Sequence, residues 1–244
     1  MIAAILIGRK GSTGLPGKNT MDLEGHPMAW WPMNAAHETP AIDRIYVSTD
    51  DPAIVEIARE FGAEIIERPA HLASNRALGE DAFLHAHEVI SLSGVIPEMY
   101  VLLMANAVTV SPEQLTHGID VMRRNPDLDS AVTVSRYNMW SPLRARRETV
   151  EGILMPFVPF DTFGDPATLD CDRDSQGDVW FADMGTSIVR PCNLTQLDEG
   201  LLPQKWMGQR IHPIKNEGGL DVDYAFQVPQ ANWWLRTNRP EHCR

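Results

Sequence analysis

The chain opens with the apolar run IAAILI at residues 2–7, which leads directly into GRKGSTGLPGKN at residues 8–19. An uninterrupted apolar run followed by glycines is typical of a strand buried on both faces of a parallel sheet. In an open α/β sheet, ligands bind beyond the carboxyl ends of the strands. The opening therefore predicts a buried first strand with a ligand-binding loop immediately after it.

Short apolar runs alternate with helical patterns along most of the chain. Strands are predicted at residues 2–7, 44–48, 63–66, 99–104, 130–135, 179–189 and 210–214. Helices are predicted at residues 52–61, 80–90, 112–124 and about 223–235. This alternation is typical of an α/β fold with a mostly parallel, Rossmann-like sheet that has helices on both faces.

Residues 138–178 interrupt the alternation, because they are rich in Pro, Gly, Asp and Arg and lack a clear period. They carry too little apolar side chain for a core of their own. We therefore expect a single domain over residues 1–244, with an arm or insertion at about 138–178.

Acidic residues outnumber basic ones by 33 to 21, which gives a formal net charge of −12. Contact with a nucleic acid backbone needs a basic face, so we expect no nucleic acid partner. A small anion needs only a few converging cations and N–H groups. No apolar run approaches the roughly 18 residues of a membrane helix, so we expect no membrane contact. Three widely spaced cysteines without a C-x-x-C pair fit a reducing cytoplasm.

The glycine-rich loop has the chemistry of a phosphate site. Glycines at positions 8, 11, 14 and 17 leave the backbone N–H groups accessible, and Arg9, Lys10 and Lys18 add positive charge. The glycines recur every three residues and Asn19 follows the lysine, so neither G-x-G-x-x-G nor G-x-x-x-x-G-K-[ST] fits. This mismatch counts against a dinucleotide-dependent oxidoreductase. A plain surface turn is the alternative interpretation.

A pair of carboxylates near the end of the chain is a candidate metal site. Asp221 and Asp223 are two residues apart, so on an extended chain their side chains point to the same side. Two carboxylates held this close repel each other, and Mg²⁺, which prefers oxygen ligands, relieves the repulsion. The alternative is two solvated aspartates in a loop that enters a helix, where the helix dipole favours negative charge.

Four stretches together resemble a known enzyme family. They are RKGSTGLPGKN at residues 9–19, RIYVSTD at 44–50, RPAHLAS at 68–74 and LDVD at 220–223. In this order they are similar to motifs of the cytidylyltransferases that make CMP-activated acid sugars, and in particular of the acylneuraminate cytidylyltransferases (CMP-sialic acid synthetases). The resemblance is good to about residue 135, weakens through the arm, and returns near residues 180 and 221.

The resemblance implies a Mg²⁺-dependent enzyme that transfers CMP from CTP to an acidic acceptor and releases pyrophosphate. It also implies a homodimer in which the arm packs against the second subunit. Arg9 and Lys18 would neutralise the triphosphate, and Asp221 and Asp223 match the metal-binding aspartates of the family. The remaining nucleotide-binding positions would be Gly8, Gly11, Ser12, Asn19, Arg68 and Ala77. Alternatives are a solvated Lys18 and an Arg68 that serves as a surface ion-pair partner.

The part that would hold the acceptor departs from the family. Where the sialic-acid enzymes usually read L-L-Q-P-T-S-P-L, this chain reads LLMANAV at residues 102–108. Apolar Met104 and Ala107 replace hydrogen-bonding groups, which leaves Asn106 as the nearest polar candidate for acceptor binding. Arg144 is the best match to a basic residue that contacts phosphate or acceptor in the family, although pairing with acidic residues of the arm is equally compatible.

Because a site that loses hydrogen-bonding groups suits a different ligand, the acceptor remains open between two kinds of acid. A nonulosonic acid, such as a sialic-acid-like sugar, is the first hypothesis. A phosphonate or another small anion is the second, and a nucleotide-binding relative without catalytic activity is the third.

Overall fold

The structure, a computed structural model, describes residues 1–11, 14–74 and 76–244. The strands are β1 (Ile2–Ile7), β2 (Asp22–Leu23), β3 (His26–Pro27), β4 (Arg44–Thr49), β5 (Glu64–Glu67), β6 (Met99–Met104), β7 (Ser130–Arg136), β8 (Arg146–Glu148), β9 (Leu154–Pro156), β10 (Trp180–Val189) and β11 (Ile211–Asn216). The helices are α1 (Trp30–His37), α2 (Pro52–Glu60), α3 (Gly79–Leu92), α4 (Pro112–Arg124), α5 (Pro191–Thr195) and α6 (Val228–Asn238).

Seven of the strands form one sheet in the order β11-β7-β10-β6-β1-β4-β5. Strand β1 runs parallel to both β4 and β6, and β4 runs parallel to β5. Strand β10 pairs with β6 in the antiparallel direction. The predicted α/β fold with a mostly parallel sheet is confirmed.

Helices cover the two faces of the central strands. Alternate residues of β1 and β6 share one apolar core with Met33 of α1 and Leu115 of α4. Successive side chains of a strand point to opposite faces, so Tyr100 of β6 lies on the other side. There its hydroxyl is 2.9 Å from Nδ1 of His87 in α3. All six residues of β1 are buried as a result.

Helix boundaries follow the local capping chemistry. The Asp51 carboxylate accepts a hydrogen bond from the Ala53 N–H at the start of α2, and the Ser111 hydroxyl accepts one from the Gln114 N–H at the start of α4. The last helix, α6, begins at Val228, five residues later than the sequence pattern indicated. The residues just before it, Ala225–Gln227, form a separate 3-10 turn.

The chain divides into two compact units. The first contains Met1–Val134 and Asp183–Arg244, and the second contains Ser135–Ala182. The predicted arm falls within the second unit, which contains the antiparallel hairpin of β8 and β9 and several short 3-10 turns. Within it, Arg136 forms an ion pair with Asp178 at 3.3 Å. Across the described residues, no helix has the length and apolar character that a bilayer crossing demands.

Candidate active site

A cleft of about 190 Å³ opens at the carboxyl ends of β1, β5 and β6, within the first unit. Parallel strands present these ends along one edge of a sheet, which is where α/β proteins bind ligands. Seven of the sequence-predicted residues line the cleft: Gly8, Arg9, Lys18, Asn19, Arg68, Ala77 and Asn106. The rest of its wall is mainly apolar and consists of Ile7, Leu72, Leu78, Gly79, Ala82, Met104 and Ala105.

The loop after β1 passes close to neighbouring elements. A Cβ on Gly8 would lie 2.7 Å from Cδ1 of Ile54 and 2.8 Å from Cβ of Ala105, so only glycine fits at this point. The carboxylate of Asp50, just after β4, accepts a hydrogen bond of 2.8 Å from the Lys10 N–H. The close packing of Gly8 against Ala105 and the hydrogen bond to Asp50 hold the start of the loop against the ends of β6 and β4.

Asn19 is held by two hydrogen bonds, yet one of its polar atoms has no hydrogen-bond partner in the part of the chain that the structure describes. Its side-chain Nδ2 donates to the backbone carbonyl of Arg9 at 3.1 Å, and its backbone carbonyl accepts from the Ala29 N–H at 2.9 Å. The side chain is buried, and its Oδ1 has no hydrogen-bond partner among the described residues. A buried acceptor without a donor is costly, so Asn19 is suited to receive a donor from a bound ligand.

Arg68 is a buried cation at the edge of the cleft. Its Nη2 donates to the Ser48 carbonyl at 2.6 Å, and its Nε donates to the Ser48 hydroxyl at 3.3 Å. Burial lowers the pKa of its guanidinium to about 10, with a further lowering by Arg9 and an opposing contribution from Asp50. Arg68 therefore keeps its charge at neutral pH and adds to the positive potential of the cleft. The alternative that it is a surface ion-pair partner is excluded by its burial.

Asp221 and Asp223 contact two residues that line the cleft, Lys18 and Asn106. The Lys18 ammonium forms an ion pair with the Asp223 carboxylate. Asn106 Nδ2 lies 3.5 Å from Oδ2 of Asp221 and 3.4 Å from Oδ1 of Asp223. Burial and the neighbouring Asp223 raise the pKa of the Asp221 carboxyl. These contacts join the glycine-rich loop to the acidic couple, which is 200 residues away in sequence.

The donor set of this couple fits a magnesium ion that also binds phosphate. Burial and, after it, repulsion from Asp223 raise the pKa of Asp221, and the ammonium of Lys18 supplies a cation at Asp223. The described residues contain no cluster of three or more His, Cys, Asp or Glu side chains that could enclose a metal. Mg²⁺ characteristically takes one or two carboxylates and completes its shell with water and substrate phosphates.

The other residues singled out from the sequence are not among those that line the cleft, with the exception of Met104. Ser12 lies outside the described residues. Gly11 is exposed with φ of +80°, and its carbonyl accepts from Nη1 of Arg9 at 3.0 Å. Arg144 belongs to the second unit, where its Nη2 donates to the Cys171 carbonyl at 2.7 Å. Ala107 is fully buried, so of the two apolar replacements only Met104 lines the cleft.

Sequence reasoning missed two residues that hold the acidic couple. The Gln227 side-chain oxygen accepts hydrogen bonds of 2.8 Å from the backbone N–H groups of Asp223 and Tyr224. The Thr109 hydroxyl exchanges hydrogen bonds with the backbone of Leu220. The available signal was a glutamine four residues after Asp223, which is a typical partner for the unpaired N–H groups ahead of a helix.

The family model described as cytidylyltransferase matches residues 3–139, which is more than half of the chain. The chain belongs to the cytidylyltransferase family. The resemblance inferred from the four motifs is therefore confirmed.

Two curated relatives are named cytidylyltransferases. The N-acylneuraminate cytidylyltransferase of Oncorhynchus mykiss is 23% identical over 233 residues, covering 94% of this chain and 49% of the relative. The 3-deoxy-manno-octulosonate cytidylyltransferase of Synechococcus elongatus is 38% identical over 84 residues, or 34% of each chain. The chain thus spans half the length or less of these relatives.

Solved structures share the fold over nearly the whole chain. A CMP:2-keto-3-deoxy-manno-octonic acid synthetase complexed with CTP superimposes with a TM-score of 0.65 at 17% identity, covering 97% of this chain and 98% of the other. A 4-diphosphocytidyl-2C-methyl-D-erythritol synthase from Anaerococcus prevotii gives a TM-score of 0.63 at 11% identity, covering 97% and 96%. At such low identity the likeness concerns the fold alone.

Proposed function

We propose that this protein is a Mg²⁺-dependent cytidylyltransferase that transfers CMP from CTP to an acidic sugar and releases pyrophosphate. The observation that carries the proposal is the cleft in which the glycine-rich loop, Arg68 and Asn106 meet, with Lys18 and Asn106 in contact with Asp221 and Asp223. Family membership supports the same reaction.

The positive side of the cleft suits the triphosphate. In the reaction an acceptor oxygen attacks the α-phosphorus, a new P–O bond forms, and the bond to the β-phosphate oxygen breaks. Negative charge gathers on the phosphate oxygens, so catalysis depends on positioning and charge neutralisation. Arg9 and Lys18 supply cations at the loop, and the exposed backbone at Gly11 lets a phosphate approach closely.

The buried side of the cleft suits the nucleoside. Asn19 Oδ1 needs a donor, and a cytidine offers both ribose hydroxyls and the amino group of the base. Arg68 offers a fixed donor fork at the same edge, and Ala77 forms part of the adjacent wall. A guanidinium can donate to O2 of cytosine, an oxygen that uracil shares, so this contact supports binding of a pyrimidine nucleotide.

Asp221 and Asp223 would hold the magnesium ion. When bound, this ion neutralises developing charge on the phosphates and orients them for attack. Lys18, which pairs with Asp223 and lines the cleft, would donate to the triphosphate when CTP and the ion are bound.

The acceptor class rests on the relatives. Those reported above are named for N-acylneuraminate and 3-deoxy-manno-octulosonate, and another relative for pseudaminic acid, all of them acids. We therefore propose a nonulosonic or similar acid sugar as acceptor. Met104 provides an apolar wall beside Asn106, and this wall offers no hydrogen bond to the hydroxyl groups of a sugar. A phosphonate or another small anion, which has fewer hydroxyl groups, is therefore the alternative acceptor. A sugar hydroxyl must lose a proton on attack, whereas a phosphonate reacts as an anion.

Pyrophosphate release tests the proposal directly. The full chain is incubated with Mg²⁺, each of the four nucleoside triphosphates, and a panel of acid sugars and phosphonates. We expect release with CTP and at least one acid sugar, and no release when the acceptor is omitted. Release only with phosphonates would select the alternative acceptor. Stabilisation of the protein by CTP without release from any acceptor would favour a non-catalytic nucleotide-binding protein.

The proposal includes a homodimer formed by the second unit. Its β8–β9 hairpin and the residues that follow expose apolar side chains at Val150, Ile153, Leu154 and Phe157. Exposed apolar patches of this kind are typical of interaction surfaces. Light scattering should give twice the chain mass of 27.3 kDa, and L154D/F157D should give the single-chain mass. A wild-type protein with the single-chain mass would refute the dimer.

A further inference from the structure

The segment that carries the two aspartates lies along the residues that follow β6. The Leu220 N–H donates to the Thr109 hydroxyl at 2.9 Å, and the hydroxyl donates back to the Leu220 carbonyl at 3.0 Å. Two residues further on, the Val222 N–H donates to the Asn106 carbonyl at 2.9 Å. These bonds dock the backbone of residues 220–222 without any contribution from the side chain of Asn106.

The Asn106 side chain adds a second set of contacts, which reaches the carboxylates themselves. Its Nδ2 lies 3.2 Å from the Val222 carbonyl, 3.4 Å from Oδ1 of Asp223 and 3.5 Å from Oδ2 of Asp221. One amide nitrogen with two hydrogens therefore serves three oxygen atoms on three successive residues. Both carboxylates of the couple are within reach of the same neutral donor.

This arrangement counters the natural tendency of the two side chains. Carboxylates at positions i and i+2 of an extended segment share one side, and their repulsion drives them apart. A donor between them lowers that repulsion without occupying either carboxylate fully. Gln227 acts from the other end, because its side-chain oxygen fixes the backbone N–H groups of Asp223 and Tyr224.

We propose that Asn106 is a positioning residue that holds Asp221 and Asp223 at a spacing at which they share one divalent cation. This inference rests on the proposed function, because it presupposes that the two carboxylates bind Mg²⁺. It differs from the acceptor-binding role expected from the sequence, because the three oxygen atoms within 3.5 Å of Nδ2 all belong to residues 221–223.

The test compares Asn106→Leu with wild type in the full chain. Leucine has a similar volume but no donor, and the backbone carbonyl of residue 106 still accepts from Val222. At fixed CTP, the Mg²⁺ concentration that gives half of the metal-dependent rise in melting temperature is measured. We expect it to increase roughly 10–100-fold, which is usual when the outer partner of a metal ligand is removed. The KM for the acceptor should stay within about twofold.

Asn125→Leu is the matched control. Asn125 is exposed at the end of α4, and its amide donates only to the Val121 carbonyl of its own helix, at 2.8 Å. Its Mg²⁺ midpoint should equal that of wild type. An unchanged Mg²⁺ midpoint in Asn106→Leu, or a raised acceptor KM with an unchanged midpoint, would overturn the positioning role.

Asn106→Asp keeps the test decisive if the leucine variant does not fold. It has the same shape but adds a third carboxylate in place of the donor. Without metal it should melt below wild type, and Mg²⁺ with CTP should raise its melting temperature by more than in wild type. An unchanged metal-free melting temperature would contradict the inference. If wild type itself shows no Mg²⁺-dependent stabilisation or activity, the metal site of the proposed function fails instead.

Discussion

Replacing Lys18 with methionine separates a catalytic role from a structural one. Methionine keeps the apolar stem and removes the ammonium, which pairs with Asp223. A charge-assisted hydrogen bond to a phosphate contributes about 1.5–3 kcal/mol. Since each 1.36 kcal/mol is about a tenfold change in rate, kcat/KM for CTP should fall roughly 10–160-fold.

The expected effect on stability is much smaller. The Lys18 side chain is 12% exposed and that of Asp223 is 50% exposed, so solvent screens the pair. Ion pairs of this kind contribute about 0–1 kcal/mol. For a chain of this length, 1 kcal/mol changes the melting temperature by about 2–4 °C. We therefore expect a ligand-free melting temperature within about 4 °C of wild type, together with a large loss of activity.

Pyrophosphate release at varied CTP and thermal melting without ligand provide the two measurements. Lys205→Met is the control, because Lys205 pairs with Asp198 at 3.1 Å and does not line the cleft. This variant should show a similarly small change in melting temperature and wild-type kinetics. If Lys18→Met keeps kcat/KM within about threefold of wild type, Lys18 does not contact the triphosphate and the reasoning is refuted.

Three further predictions concern the rest of the site. In Arg68→Lys, the lysine cannot keep both contacts that Arg68 makes to Ser48. We expect the KM for CTP to rise about tenfold with little change in kcat. An unchanged KM would exclude Arg68 from nucleotide binding. Gly14→Ala would bring a Cβ to 2.8 Å from the backbone carbonyl oxygen of Asp223. Urea denaturation should therefore show a free energy of unfolding that is about 1–3 kcal/mol lower than in wild type. Equal stability would mean that the loop moves freely at this point. In the folded protein the pKa of Asp221 is raised by burial and by Asp223, so its carboxyl destabilises the metal-free fold increasingly as the pH rises above 3.8, the ordinary value. Asp221→Asn should therefore raise the metal-free melting temperature at pH 7 but not near pH 4, and should abolish Mg²⁺-dependent transfer; a lowered melting temperature at pH 7 would contradict this sign.

Local patterns predicted the regular elements well where short-range chemistry determines them. Strand β1, strand β6 and helix α4 have the predicted boundaries, because apolar runs and a Ser-Pro cap define them within a few residues. The start of α6 was wrong. Apolar periodicity extended the helix back to residue 223, but Gln227 binds the N–H groups of Asp223 and Tyr224 in a separate turn. A side-chain acceptor within the turn thus outweighed the periodicity.

The sequence alone determined the family, the parallel strands and the cationic glycine loop, because strand patterning, turn residues and contiguous motifs are legible over short stretches. The tertiary structure alone decided how these parts meet: the strand order brings Arg68 and Asn106 to the loop, and the docking of residues 220–222 brings both carboxylates to the Asn106 amide. It also revealed that Oδ1 of Asn19 is buried without a hydrogen-bond partner in residues 1–11, 14–74 and 76–244. These contacts join residues up to about 200 positions apart, and no local periodicity encodes the register of such long-range pairing.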